Sequence, residues 1–227
     1  MLFRSLMSYG ILVRGNNGQT IIDDSNPCMH IVEGGVYGVQ GAVEIVVNYS
    51  APINSPYEPY VYFCPNGPHQ IYRFRHLGGA GAWSGFAFYQ SSFQDTDPPV
   101  YGGKWKAAAV MLPRIGGWGM HVFDAQSRVM FDSNREIVRF VGGAQEWELY
   151  AHNPNWPGGM HMQTWALPYP YGLSTYFLVS HFNLKHIYTL EPPRIGFLYN
   201  SRAMIFVSSL VPDEIGFKFN WPLIVVA

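Results

Sequence analysis

Charge is scarce in this chain. Only 13% of its 227 residues are Asp, Glu, Lys or Arg, about half the usual share for a soluble domain. Few side chains are left to keep an isolated surface soluble, so much of that surface is expected to meet other protein. The net charge of −1 comes without any basic run, which removes the electrostatic footprint that nucleic-acid binding requires. No nucleic-acid partner is expected. Cysteine is almost absent: Cys28 and Cys64 are the only two, and neither sits in a CxxC or other metal-spaced pair. One disulfide or two buried thiols both fit. No stretch approaches the roughly 20 uninterrupted apolar residues a helix needs to cross a bilayer, so no membrane insertion is expected. The opening MLFRSLMSYG has neither an apolar core of signal-peptide length nor a small-residue cleavage site. It reads as a short arm on a protein made without export.

Helical periodicity is missing as well. No window carries a sustained apolar stripe at helical spacing, and 24 Gly with 17 Pro punctuate the chain too often for helices of ordinary length. What remains is β-structure. Alternating or β-branched runs mark strands at 42–49, 60–64, 70–75, 83–89, 104–112, 146–151, 160–167, 173–180, 184–190, 203–210, 215–221 and 223–226, separated by turns at the spacing typical of sandwiches. In IYRFR, alternation places Tyr72 and Phe74 on one face and Ile71, Arg73 and Arg75 on the other. Loops are expected at 94–99, rich in Asp and Pro, and at 153–159, NPNWPGG.

One stretch occurs twice. WGMHVFDAQSRVMFDSNREIVRFVGG (118–143) has an earlier version in YGILVRGNNGQTIIDDSNPCMHIVEGG (9–35). Both start on an aromatic-Gly pair; Asp24-Ser25-Asn26 answers Asp132-Ser133-Asn134, and Gly34-Gly35 answers Gly142-Gly143. Each copy reads as a small meander: a strand, a polar turn, a second strand, an Asp-Ser-Asn corner and a third short strand. The turn of the second copy, Asp124 to Ser127, suits a type I-based reversal. Asp24, Ser25, Asn26, Asp132, Ser133 and Asn134 are assigned to the corners, because such side chains routinely bond their own backbone. The expected fold is all-β: two tandem β-sandwich-like domains related by internal duplication, residues 1–112 with the N-terminal arm and residues 113–227.

Catalytic and metal chemistry find no foothold. There is no GxSxG elbow, and Cys28 has no recognisable His motif near it. His152, His161, His181 and His186 are the densest histidines, but no Cys or carboxylate joins them at ligand spacing. No catalytic residue, metal or cofactor is assigned. Aromatic residues make up 16% of the chain, and those flanked by proline are candidates for protein or glycan contact, because flat amphipathic rings bind at low entropy cost. They are Trp156 in NPNWPGG, Trp165, Tyr169 and Tyr171 in TWALPYPYG, and Tyr57 and Tyr60 in PYEPY.

The repeated unit, carried best by WGMHVFDAQSRVMFDSNREIVRF and preceded by GGKWKAAAVMLPR, resembles a poorly characterised family of tailed-bacteriophage proteins found among tail and tail-tip genes. The first copy departs from it, reading Ile-Ile-Asp-Asp-Ser where Phe-Asp-Ser belongs. The resemblance implies a non-enzymatic virion protein, made in the host cytoplasm and built into the tail tip, baseplate or fibre. It implies other tail proteins as partners and, in a fibre setting, a homo-oligomer such as a trimer. A glycan-binding module meeting bacterial surface polysaccharide is the alternative, and a cell-envelope hydrolase the least supported reading.

Overall fold

Val61 and Phe63, Trp105, Ala107 and Ala109, and Phe86 and Phe88 are buried at a spacing of two, which puts side chains on one face of a strand. The computed structural model describes residues 12–14, 20–23, 26–38, 44–91, 101–156, 160–172, 174–183, 193–198, 204–211 and 222–227. Its first half contains β1 (Leu12–Arg14), β2 (Thr20–Asp23), β3 (His30–Tyr37), β4 (Glu44–Ile53), β5 (Tyr60–Pro65), β6 (His69–Gly79), β7 (Ala82–Ser91) and β8 (Gly103–Ala109). The second half contains β9 (His121–Phe123), β10 (Val129–Asp132), β11 (Phe140–Ala144), β12 (Glu148–Trp156), β13 (Met160–Pro168), β14 (Tyr176–Leu178), β15 (Arg194–Leu198), β16 (Met204–Val211) and β17 (Leu223–Val226). A short 3-10 turn, Ser180–Asn183, is the one helical segment among the described residues.

Six strands form one antiparallel sheet in the order β11-β17-β14-β5-β8-β3, and seven form the other, β12-β13-β16-β15-β6-β7-β4. The hairpins β1–β2 and β9–β10 stand apart from both. The chain is an all-β sandwich. Between the sheets lies one core, in which Phe63, Trp105, Phe177 and Val225 of the first sheet meet Phe86, Phe88, Trp165, Phe197 and Val207 of the second. Tyr37 stacks on Phe63 at 4.8 Å, and Phe63 meets Phe88 edge-on at 5.0 Å, the offset and T-shaped arrangements that ring quadrupoles favour.

The duplication is written into this strand order. At the centre of the six-stranded sheet β5 pairs antiparallel with β14, and at the centre of the other β6 pairs antiparallel with β15. Outward from those pairs, β8 and β3 answer β17 and β11, while β7 and β4 answer β16 and β13. Chain order matches in both halves, which relates them by an approximate two-fold axis through the central pairs. Among the described residues β12 has no counterpart in these sheets, and it lies outside β13 as an added edge. The duplicated segments also cross each other: Ile31 N–H donates to Glu136 O at 2.8 Å and Val138 N–H to Met29 O at 2.9 Å, around a bridge between His30 and Ile137. Met29, Ile31 and Val138 thereby cover a second small core of Tyr62, Ala108, Leu178 and Val226, whose parity puts it on the outer face of the six-stranded sheet.

Several expectations change. The boundary at residues 112 and 113 separates two symmetry-related halves, not two domains, because strands of both halves share each sheet and one core. The face assignment in IYRFR fails at a bulge: register shifts between Tyr72 and Arg75, and Arg73 takes a φ of 51°. One extra residue in a strand reverses the faces beyond it, so Ile71 and Phe74 are both buried while Arg73 and Arg75 are exposed. Asn153 to Trp156 belong to β12, not a loop, since β12 pairs with β13 out to Trp156 and Met160. Cys28 and Cys64 form no disulfide; Cys64 is buried and Cys28 half-buried. The strands expected at 184–190 and 215–221, and the loop at 94–99, lie outside the described residues.

Candidate functional site

Hairpin β9–β10 is held to the sandwich by a buried carboxylate. Its turn is closed by Asp124, whose Oδ1 accepts the N–H groups of Gln126 at 2.9 Å and Arg128 at 2.8 Å, while Ser127 N–H donates to Asp124 O at 3.0 Å. Ser127, at φ 62°, occupies the left-handed position that completes a type I turn with a bulge. At the other end sits Asp132, fully buried. Its Oδ1 accepts Asn134 N–H at 2.9 Å and its Oδ2 accepts Ile115 N–H at 3.0 Å, with His121 Nε2 3.3 Å from Oδ1. The Asp132 N–H donates to His30 Nε2 at 3.3 Å. Burial alone would raise the Asp132 pKa, but the two amide donors, with His121 and Arg135 close by, outweigh it and hold it below the usual carboxylate value. This Asp–His arrangement resembles catalytic hardware, yet both carboxylate oxygens are spent on backbone donors.

The pinned backbone carries an exposed apolar surface. Ser133 Oγ accepts Met120 N–H at 2.8 Å, and Ser133 N–H returns a bond to Met120 O at 3.0 Å. A side chain at Gly119 would run into Ser133 and Asn134, its Cβ only 2.6 Å from Ser133 Oγ. Between these anchors Trp118 is 100% exposed, with Ile115, Met120 and Phe123 also open to solvent. A large ring held out on a fixed backbone marks a contact surface. A second apolar strip lies along the consecutive edge strands β11 and β12, where Phe140, Val141, Leu149 and Tyr150 are exposed. The opposite edge is blunted, since the Glu33 carboxylate takes the Ser50 N–H, a guard against strand addition.

The aromatic candidates divide sharply. Trp165 is 2% and Tyr169 4% exposed; both point into the core, so neither is a surface contact, Trp165 through its place in β13 and Tyr169, just past the end of that strand, through its packing on Phe177 and Phe197. Tyr171 is half-buried, its hydroxyl donating to Gly143 O at 3.1 Å. The side chain of Trp156 lies outside the described residues, as do Asp24 and Ser25, while Asn26 is exposed. Tyr57 and Tyr60 remain outside, 54% and 38% exposed. Tyr57 belongs to a cleft of about 420 Å³, walled also by Pro56, Met111, Pro113, Ser127 and Arg128.

Among the histidines, His152 Nε2 and His161 Nδ1 lie 3.1 Å apart across β12 and β13. His181 Nε2 donates to Pro222 O at 2.7 Å. His186 is outside the described residues. No three His, Cys, Asp or Glu side chains converge as a metal-binding group among the described residues. The exposure of Trp118 is not foreseen in the sequence, where it only marks the start of the repeat; its flanking glycines, Gly117 and Gly119, were the available signal that no core packs around it. Comparison with protein-family models, with curated proteins and with solved structures finds no match to this chain.

Proposed function

We propose that this chain is a non-enzymatic structural component of a bacteriophage tail, in the tail tip, baseplate or fibre, that docks on other tail proteins and on further copies of itself. A trimer fits the fibre setting, and the site of action is the assembled virion, after synthesis in the host cytoplasm. The observation that carries this reading is Trp118, fully exposed beside Ile115, Met120 and Phe123 on a backbone tied down by Asp132 and Ser133. Low overall charge and the apolar edges of β11 and β12 support the same reading. A Trp118→Ser variant tests it. Trp118 packs on nothing, so its removal leaves the fold stable, and phage complemented with the variant is expected to yield about tenfold fewer complete particles, the loss typical of a deleted interface anchor. Normal yield would count against Trp118 as the docking residue. Glycan recognition is the second reading, and the cleft at Tyr57 is what favours it.

A further inference from the structure

Three separate loops build the Tyr57 cleft, and each is locked from behind. Tyr57 and Pro56 sit in the connection after β4, where Tyr57 N–H donates to Ser55 Oγ at 3.2 Å. Ser55 is itself fully buried, its carbonyl accepting Trp83 Nε1–H at 3.1 Å and Gly81 N–H at 2.8 Å. Met111 and Pro113 follow β8; Met111 is held at φ 53°, and Pro113 O accepts Arg135 Nη2–H at 2.9 Å. Ser127 and Arg128 come from the β9–β10 turn that Asp124 closes. Two of the three described non-glycine residues with left-handed φ, Met111 and Ser127, therefore wall one cleft. Strained backbone of this kind persists only where the surroundings over-determine it, and it gathers at ligand sites.

The chemistry of the walls narrows the ligand. Tyr57 presents an exposed aromatic face, flanked by proline and methionine. Arg128 presents a guanidinium whose Nε donates to the Asp124 carboxylate at 2.5 Å and whose Nη2 reaches Gln126 Oε1 at 3.4 Å, so the pair is neutral and the N–H groups left over are held in one orientation. A paired arginine gives no net field to select phosphate or carboxylate. A flat molecule with C–H bonds on one face and hydroxyls around its rim meets both features at once: the ring stacks on Tyr57 while neighbouring hydroxyls bond the Arg128 fork and the Ser127 hydroxyl. The volume falls in the range of small-molecule sites.

We infer that the Tyr57–Arg128 cleft is a saccharide-binding subsite, taking a neutral pyranose stacked on Tyr57 and hydrogen-bonded by Arg128. It stands independently of the tail-assembly reading, since it uses neither Trp118 nor the sheet edges. Where the chain is a virion component, the sugar is a unit of host surface polysaccharide.

Saturation-transfer NMR on the full chain tests it, with the methyl glycosides of glucose, galactose, mannose, N-acetylglucosamine and rhamnose as probes and an oligoproline peptide as a rival. At least one glycoside is expected to receive transfer. Tyr57→Ala is expected to weaken that binding by about tenfold or more, Arg128→Ala similarly, and Val36→Ala, at an exposed position outside the cleft, is expected to leave it unchanged. No transfer to any glycoside, transfer that survives Tyr57→Ala, or binding of the oligoproline alone would overturn the assignment. Tyr57 is exposed, so its loss leaves the core intact and a negative result reads directly on the cleft.

Discussion

His69 is wired into the interior through both ring nitrogens. Nδ1 lies 2.9 Å from Gly67 O, a carbonyl that can only accept, so Nδ1 carries the proton; Nε2, 3.0 Å away, then accepts the Tyr37 hydroxyl. The neutral ring satisfies both partners, and a second proton would place a charge in the core, where His69 is almost wholly buried. Burial lowers the His69 pKa from 6.5 to about 4, with the Gly67 carbonyl opposing only in part. Folded protein therefore refuses a proton that the unfolded chain accepts below pH 6.5, and stability contributed at neutral pH is lost as pH falls from 6.5 towards 4. The His69 share of that loss is about 3 kcal/mol at pH 4. His181 shifts the same way, also to about 4, again through burial. Urea unfolding at pH 7 and pH 4 is expected to show this fall, and His69→Gln, which keeps a donor and an acceptor but cannot titrate, is expected to flatten it. An unchanged slope in that variant would contradict the wiring. None of this was legible in the sequence, where His69 is one of eight histidines and the glycine and tyrosine that hold it lie 2 and 32 positions away.

At the scale of elements, the β9–β10 hairpin shows which part of a motif a sequence reveals. Asp-Ser-Asn at a strand end is legible as a corner, because short polar side chains compete for nearby backbone N–H groups. What was not legible is that Asp132 also reaches back to Ile115 and meets His30, contacts made by tertiary packing, while His121 faces it through the register of the hairpin itself. Replacing Asp132 by Ala would remove a fully buried carboxylate from two part-buried amide donors and a histidine, and breaking a buried charged pair in this way typically costs about 3–5 kcal/mol. Chemical denaturation of Asp132→Ala is expected to fall in that range, and a loss under about 1 kcal/mol, the worth of an exposed pair, would show the hairpin to be held by its Val122, Met130 and Phe131 cluster instead. The bulge at Arg73 escaped sequence reading for a different reason. A left-handed arginine leaves no mark in composition, whereas glycine or asparagine at the same place would have signalled it.

For the whole molecule, the duplication was visible in two aromatic-Gly pairs, two Asp-Ser-Asn corners and two Gly-Gly pairs, but how the copies combine was not. Strand partners such as Phe63 and Phe177 are far apart in sequence, and long-range pairing has no local signature. The central pairs β5–β14 and β6–β15 join the halves at the middle of both sheets, so neither half can keep its core without the other. Unfolding is accordingly expected to be one transition, coincident by tryptophan fluorescence and far-ultraviolet circular dichroism, and residues 1–112 alone are expected not to fold. Two separated transitions would contradict a shared core. A pseudo-symmetric sandwich with its apolar surface displayed on a pinned hairpin and on one pair of edges suits a part that is built into a larger body. The most direct test of that role is immunogold labelling of intact phage particles with an antibody raised against this chain. Gold confined to the tail end is the expected result; particles that carry none would contradict the assignment.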